Sequence, residues 1–173
     1  MRCRFVLLAV APVLASPAWA TTYMTVDQAK AALFPGVSLV RDDRALTDAQ
    51  AAAIRAHSGV SVHARAVHSW RAPDGARLIV DQVLGKHENI TLALALDPAG
   101  AVRALEILDY RESYGGQVRD PAWRAQFTGK RDGAPLALGQ DIRNNSGGTL
   151  SARHVADGVR RLLATDRIVF APH

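Results

Sequence analysis

The chain has 173 residues, enough for one domain with a sizeable core, and carries 21 Lys+Arg against 16 Asp+Glu for a formal charge of +5. Its arginines are spread singly rather than clustered among aromatics, which argues against a nucleic-acid surface. The single cysteine, Cys3, lies in the first few residues, so the remainder of the chain has no thiol nucleophile, no Cys-ligated metal or iron-sulfur cluster and no C-x-x-C-H haem attachment.

Residues 1–20, MRCRFVLLAVAPVLASPAWA, have the form of a secretory signal. Arg2 and Arg4 give a positive start, an apolar run too short to span a bilayer follows, and Ala18-Trp19-Ala20 is a small-x-small cleavage site. Cleavage after Ala20 predicts a secreted, periplasmic mature chain of residues 21–173; left uncut, the segment would act as a membrane anchor. Loss of the signal removes two arginines and no acid, leaving a mature charge of +3.

Along the mature chain, TVDQAKAALFPG predicts a helix with Thr25 as N-cap and Pro35-Gly36 as its stop. In LTDAQAAAIRAHSG, Thr47 and Gln50 have capping-box spacing and Gly59 ends a second helix. VSVHARAVHSW, ARLIVDQVLG and ITLALALD then read as strands separated by the turns APDG and GKHEN. In the third strand Ile90, Leu92, Leu94 and Leu96 share one face and Thr91, Ala93 and Ala95 the other. DPAG predicts a type I turn into an antiparallel partner, AVRALEIL, whose period is too irregular to assign its faces. DPAWRAQFTG predicts a short helix with Asp120 as cap and Pro121 in its first turn. A last helix runs from about Leu150 to Ala164, with Ala152, Val155, Val159, Leu162 and Leu163 opposite Arg153, Asp157, Arg160 and Arg161. The expected fold is α+β: a single domain with an antiparallel β-meander flanked by N- and C-terminal helices.

Few chemical motifs accompany this framework. His57, His63, His68 and His87 share no ligand spacing, and His63 and His68, five apart, point to opposite faces of an ideal strand, so no metal site is expected. Neither G-x-S-x-G nor H-E-x-x-H occurs, so no stand-alone hydrolase is expected. The most informative stretch is SGGTLS, residues 146–151, at the start of the last helix. A Gly-Gly pair permits close backbone approach, and a helix N-terminus offers unpaired N–H groups to a phosphate. On residue types alone the same stretch also reads as an ordinary Ser/Thr cap behind a glycine loop.

SGGTLSARHVADGVRRLL resembles the flavinylation segment of the FMN-binding domain family, whose motif is S/T-G-A-T/S-x-S/T. That family includes the C subunit of sodium-pumping NADH:quinone oxidoreductase and the G subunit of the Rnf complex. LDYRESYGGQVRDPAWRAQFTGK resembles the family's E-T-P-G-L-G segment with its following acid, Trp and Q-F-x-G-K, and GKHENITLALALDPAGAVRALEIL resembles the preceding hairpin. The three segments lie in the family's order across residues 85–164. The resemblance implies covalent FMN, esterified through its phosphate to Thr149, within Ser146, Gly147, Gly148, Leu150 and Ser151. It implies that Glu112, Ser113, Tyr114, Gly115 and Gly116 form the loop near the isoalloxazine ring and that Trp123 holds a packing position; by residue type, Tyr114 or Trp123 can stack on or shield the ring, while Trp123 reads at least as well as a core residue of the short helix. Two positions depart from the pattern: Gly148 replaces the usual Ala, and Arg143 stands where many members have Asp, with Asp141 the nearest acid. The implied function is a secreted electron-transfer flavoprotein rather than a stand-alone enzyme. Its implied partners are a flavin transferase that draws FMN from FAD and membrane-bound redox proteins. The alternatives are a non-covalent FMN or phosphate-ligand module and a structural adaptor subunit that has lost the flavin.

Overall fold

A computed structural model describes residues 21–144 and 148–170. Two helices open the fold, each started by the same device. In α1 (Val26–Leu33) the Thr25 hydroxyl accepts from the Gln28 N–H while the Gln28 side chain accepts from the Thr25 N–H. Thr47 and Gln50 repeat this reciprocal cap on α2 (Asp48–Ser58), satisfying donors that a helix start otherwise leaves unpaired. Gly59 ends α2 in the left-handed region at φ 71°, and its N–H returns to the Arg55 carbonyl.

The sheet is antiparallel. Short strands β1 (Thr21–Thr22), β2 (Val40–Arg41) and β3 (Arg44–Ala45) accompany a meander of β4 (Ala66–Arg71), β5 (Arg77–Leu84), β6 (Asn89–Leu96) and β7 (Val102–Tyr110). Six strands lie in the order β1-β7-β6-β5-β4-β2, and β3 pairs with β4 beside β2. The strand expected from Val60 is shorter than its apolar pattern: only Ala66–Arg71 pairs, while residues 60–65 run as a connection. Strand structure needs a neighbour, and the segment expected from Val60 finds β5, β2 and β3 only over residues 66–71.

The alternation of β6 divides the core. Ile90, Leu92, Leu94 and Leu96 enter the larger cluster with Val155, Val159, Leu162 and Leu163. On the opposite face Ala93 and Ala95 join Trp70, Leu78, Ala29 and Phe34 beneath α1. Small residues there let a short helix approach the sheet. The irregular period of β7 also has a cause: its pairing with β6 shifts register between Thr91 and Leu92 and between Ala95 and Leu96. Each bulge inverts which side chains face inward, so Val102, Leu105, Ile107 and Tyr110 reach the larger cluster and Leu108 the smaller.

After β7 the chain forms a 3-10 turn (Gly116–Arg119) and the short helix α3 (Pro121–Arg124), capped by Asp120 Oδ1 accepting from the Ala122 N–H. The long helix α4 (Thr149–Thr165) begins one residue earlier than expected and runs into a π turn over Asp166–Phe170. Its expected apolar face is buried, but Arg161 is not on the polar side. It is 7% exposed, and its Nη2 pairs with Asp81 Oδ2 at 2.6 Å. Burial displaces the Asp81 carboxyl upward in pKa, and the adjacent guanidinium only partly offsets this. The architecture is a single α+β domain with an open antiparallel sheet and a long C-terminal helix crossing one face.

Candidate functional site

The end of β7, the loop after it and the start of α4 meet at one hydroxyl cluster. Tyr110 ends β7 with its ring in the core, and its Oη–H donates to the Tyr114 carbonyl. With that proton committed, Tyr110 Oη accepts from the Ser151 hydroxyl at 3.0 Å. Burial raises the Tyr110 pKa, although the Ser151 bond opposes the shift, so the phenol stays protonated as a donor. Ser151 is 4% exposed. Its hydroxyl is therefore a fastening between helix and loop rather than a group presented to solvent.

Two glycines make that fastening possible. Gly115 has φ 85°, and a Cβ there would stand 2.8 Å from Ser151 Oγ and 2.9 Å from Tyr110 Oη. Gly148, the residue before α4, would place a Cβ 2.6 Å from Gly115 Cα and 3.0 Å from Gln117 Oε1. By the family resemblance, Gly148 stands where Ala is usual. In the fold it is where two backbones approach too closely for any side chain. At Gly116 a Cβ would meet only the exposed Arg119 side chain, Nη2 at 2.7 Å, which is free to move aside.

Glu112 turns towards the β5–β6 connection. Its Oε1 accepts from the N–H groups of His87 at 2.5 Å and Glu88 at 3.0 Å. Burial works against the charged form, but these backbone donors outweigh it and hold the carboxyl below its ordinary pKa. Glu112 thus ties the loop over 111–116 to the turn over 85–88. Ser113 and Tyr114 lie outside this tie and are exposed, Tyr114 at 80%.

Trp123 lies in the core at 3% exposure, edge-on to Phe127 with ring centroids 5.2 Å apart. Its Nε1–H donates to the Arg143 carbonyl at 2.9 Å, while the Arg143 N–H donates to Gln126 Oε1 at 2.7 Å. These bonds clamp the strand of chain that leads to α4. Asp141 serves the same segment: it pairs with Lys130 Nζ at 2.9 Å and accepts from the Leu136 and Ala137 N–H groups. Ser146 and Gly147 lie outside the described residues.

Thr149 is the first residue of α4 and is exposed, with Leu150 beside it at 44% exposure. The first intrahelical bond runs from the Ala152 N–H to the Gly148 carbonyl, so the N–H groups of Thr149, Leu150 and Ser151 have no partner within the helix. No side chain of Gly148 can cap them, in contrast to α1 and α2. An exposed hydroxyl beside these donors and the positive end of a 17-residue helix suits a phosphate ester. The residues present fit a phosphate-linked group.

Residues 85–164 match the family model of the FMN-binding domain. The segment is an FMN-binding domain. No curated protein matches the chain.

The FMN-binding domain spans β6, β7, the 112–116 loop, α3 and most of α4, whereas α1, α2, β4 and β5 precede it. Beside it, α4 forms a groove of about 530 Å³ with β5 and the 60–64 connection. His154, Asp157, Gly158 and Arg161 line its helical wall. Sequence reasoning assigned no role to His154, although its position four residues after Leu150 puts it on the same stripe of α4. A second concavity, of about 590 Å³, flanks the other end of α4 near Leu163 and Asp166. It is charge-lined and partly filled by ion pairs such as Arg77 with Asp166 and Arg167 with Asp132.

Proposed function

We propose that this protein carries FMN covalently, through a phosphoester to Thr149 Oγ1, and serves as an electron carrier in a secreted compartment. The observation that carries the reading is the contrast between two hydroxyls two residues apart, on different faces of the same helix. Thr149 is exposed at the start of α4 beside N–H groups that have no partner within the helix, whereas Ser151 is buried and bonded to Tyr110. The same motif position is the family's attachment residue, and residues 85–164 match the FMN-binding domain.

An unassisted threonine hydroxyl is a weak nucleophile, and nothing on the described residues beside Thr149 supplies a dedicated base. Attachment therefore falls to a flavin transferase using FAD. The bond formed joins Thr149 Oγ1 to the FMN phosphorus, the bond broken is the pyrophosphate P–O link to AMP, and the hydroxyl proton passes to a base of the transferase. When bound, FMN supplies one- or two-electron transfer, while the protein contributes position and electrostatics. The start of α4 holds the phosphate, the Gly115–Gly148 contact brings the 112–116 loop against it, and the Glu112 tie fixes that loop to the β5–β6 turn. Covalent attachment makes retention independent of free cofactor concentration. Residues 1–20 act as a cleaved signal, the mature chain begins at β1, and membrane-bound redox proteins are its electron partners.

Denaturing electrophoresis of protein co-expressed with a flavin transferase tests the reading. Flavin fluorescence that stays with the wild-type band and vanishes in Thr149→Ala is expected. Flavin that is lost from the wild-type band on denaturation would replace the carrier with a non-covalent FMN module.

A further inference from the structure

Arg153 lies four residues after Thr149 in α4 and is exposed. That spacing puts it about 6 Å along the helix axis and about 40° around it from Thr149. Helical side chains lean towards the N-terminus, so Arg153 covers the turn that Thr149 begins. It borders a concavity of about 250 Å³ with Leu136, Ala137, Leu138 and Ala156, which gives its apolar stem a surface to lie on. Its guanidinium makes no ion pair or hydrogen bond among the described residues. The acid one turn further on, Asp157, is taken by Arg160 Nη2 at 2.6 Å.

An exposed arginine without a partner is ordinary, but its place on this helix is not. In α1 and α2 an acid stands in the first turn, Asp27 and Asp48, beside a capping box, which is the arrangement that the positive end of a helix favours. The start of α4 reverses it. Its first turn has no acid and no side-chain cap, and from Thr149 to Ala156 its one formally charged residue is Arg153. Positive charge is added to the positive end of the longest described helix, and an anion at Thr149 turns that arrangement from unfavourable to favourable.

We propose that Arg153 is the counter-ion of the phosphate on Thr149, its guanidinium donating to the non-bridging oxygens. The proposal rests on the carrier reading and adds to it a residue beyond the S/T-G-A-T/S-x-S/T motif, which ends at Ser151. A phosphate joined to both the ribityl chain and Thr149 is a diester. It lacks the second ionisation, near pH 6, of a phosphate monoester and keeps a single negative charge through the neutral range. Arginine is charged throughout that range as well, and its planar fork matches paired oxygens better than the point charge of a lysine does. The pair is therefore sensitive to salt and insensitive to pH.

The test uses the mature chain prepared with and without a co-expressed flavin transferase, intact mass recording the load and Tm being measured at low and high salt and at about pH 5 and pH 8. Wild type is compared with Arg153→Gln, Arg153→Lys and Arg55→Gln; Arg55 is exposed on α2, so its variant removes the same charge elsewhere. The expected result is a rise in Tm on loading of about 2–4 °C in wild type and Arg55→Gln at low salt, smaller at high salt and equal at both pH values. The rise falls at least twofold in Arg153→Gln and is kept only in part by Arg153→Lys. In the unloaded protein Arg153→Gln is as stable as wild type or more so, because no anion balances the cation there. Equal rises in wild type and Arg153→Gln at equal mass gain would overturn the proposal and leave the carrier intact. A rise that changes through about pH 6 would overturn it too, since a diester paired with arginine has nothing to titrate there. An Arg153→Gln chain that takes up no flavin would give Arg153 to recognition by the transferase instead and likewise overturn it. No mass gain in wild type would remove the carrier reading and this proposal together.

Discussion

Replacing Gly158 by Ala tests the packing that sets α4 on the sheet. In an ordinary helix interior the exchange stabilises by about 1 kcal/mol, because glycine has more backbone freedom to lose. Here a Cβ would lie 2.4 Å from Val83 Cγ1, and Val83 is a β-branched residue on β5, 8% exposed, with little rotamer freedom to retreat. Overpacking of this kind costs roughly 1–3 kcal/mol, so the net change is a loss of about 0–2 kcal/mol, or up to roughly 8 °C in Tm for a domain of this size. The Val83→Ala background isolates the cause. With Cγ1 gone, the nearest atoms are Leu92 Cδ2 at 3.5 Å and Val83 Cβ at 3.8 Å, ordinary contacts, and Gly158→Ala should recover its gain of about 1 kcal/mol. Urea unfolding of the four proteins gives a coupling of about 1–3 kcal/mol between the sites. Stabilisation by Gly158→Ala of the same size in both backgrounds would refute the contact.

Asp43 makes its contribution at neutral pH. Its bond to the Arg41 side chain, helped by the Ser69 N–H and His68 and opposed by partial burial, lowers its pKa from 3.8 to about 2. The depressed folded value means stability that is complete above pH 4 and lost as pH falls towards 2; Asp43→Asn should have a lower Tm at pH 6 and converge on wild type near pH 2. Glu112→Ala frees the His87 and Glu88 N–H groups and should speed their amide hydrogen exchange, leaving core exchange in β6 unchanged. Unaltered exchange at both amides would deny Glu112 its role as a tie. Trp123→Phe keeps an aromatic ring in the core but strands the Arg143 carbonyl, with an expected cost of about 1–3 kcal/mol in urea unfolding.

The strands and helices that depend on local chemistry were legible in the chain. Thr25, Thr47 and Asp120 cap their helices through their own side chains, and β6 alternates strictly because each of its faces meets its own core. Features set by partners distant in sequence were not. The bulges of β7 depend on register with β6, the two-residue strands β1, β2 and β3 exist only through pairing, and Arg161 is buried because Asp81 stands opposite it, 80 residues away. The same division holds at the site. The residues around Thr149 could be located by motif, but sequence could not distinguish an exposed Thr149 from a buried Ser151, nor see that Gly148 abuts Gly115. His154 carried no motif signal beyond its spacing from Leu150, because the groove it lines is completed by residues before the matched domain.

Intact mass spectrometry of the secreted protein, co-expressed with an active flavin transferase, tests the central claim most directly. The account predicts a gain of FMN less one water in wild type, carried by the peptide containing Thr149, and no gain in Thr149→Ala. An equal gain in Thr149→Ala, or none in wild type while the transferase modifies another acceptor, would contradict it.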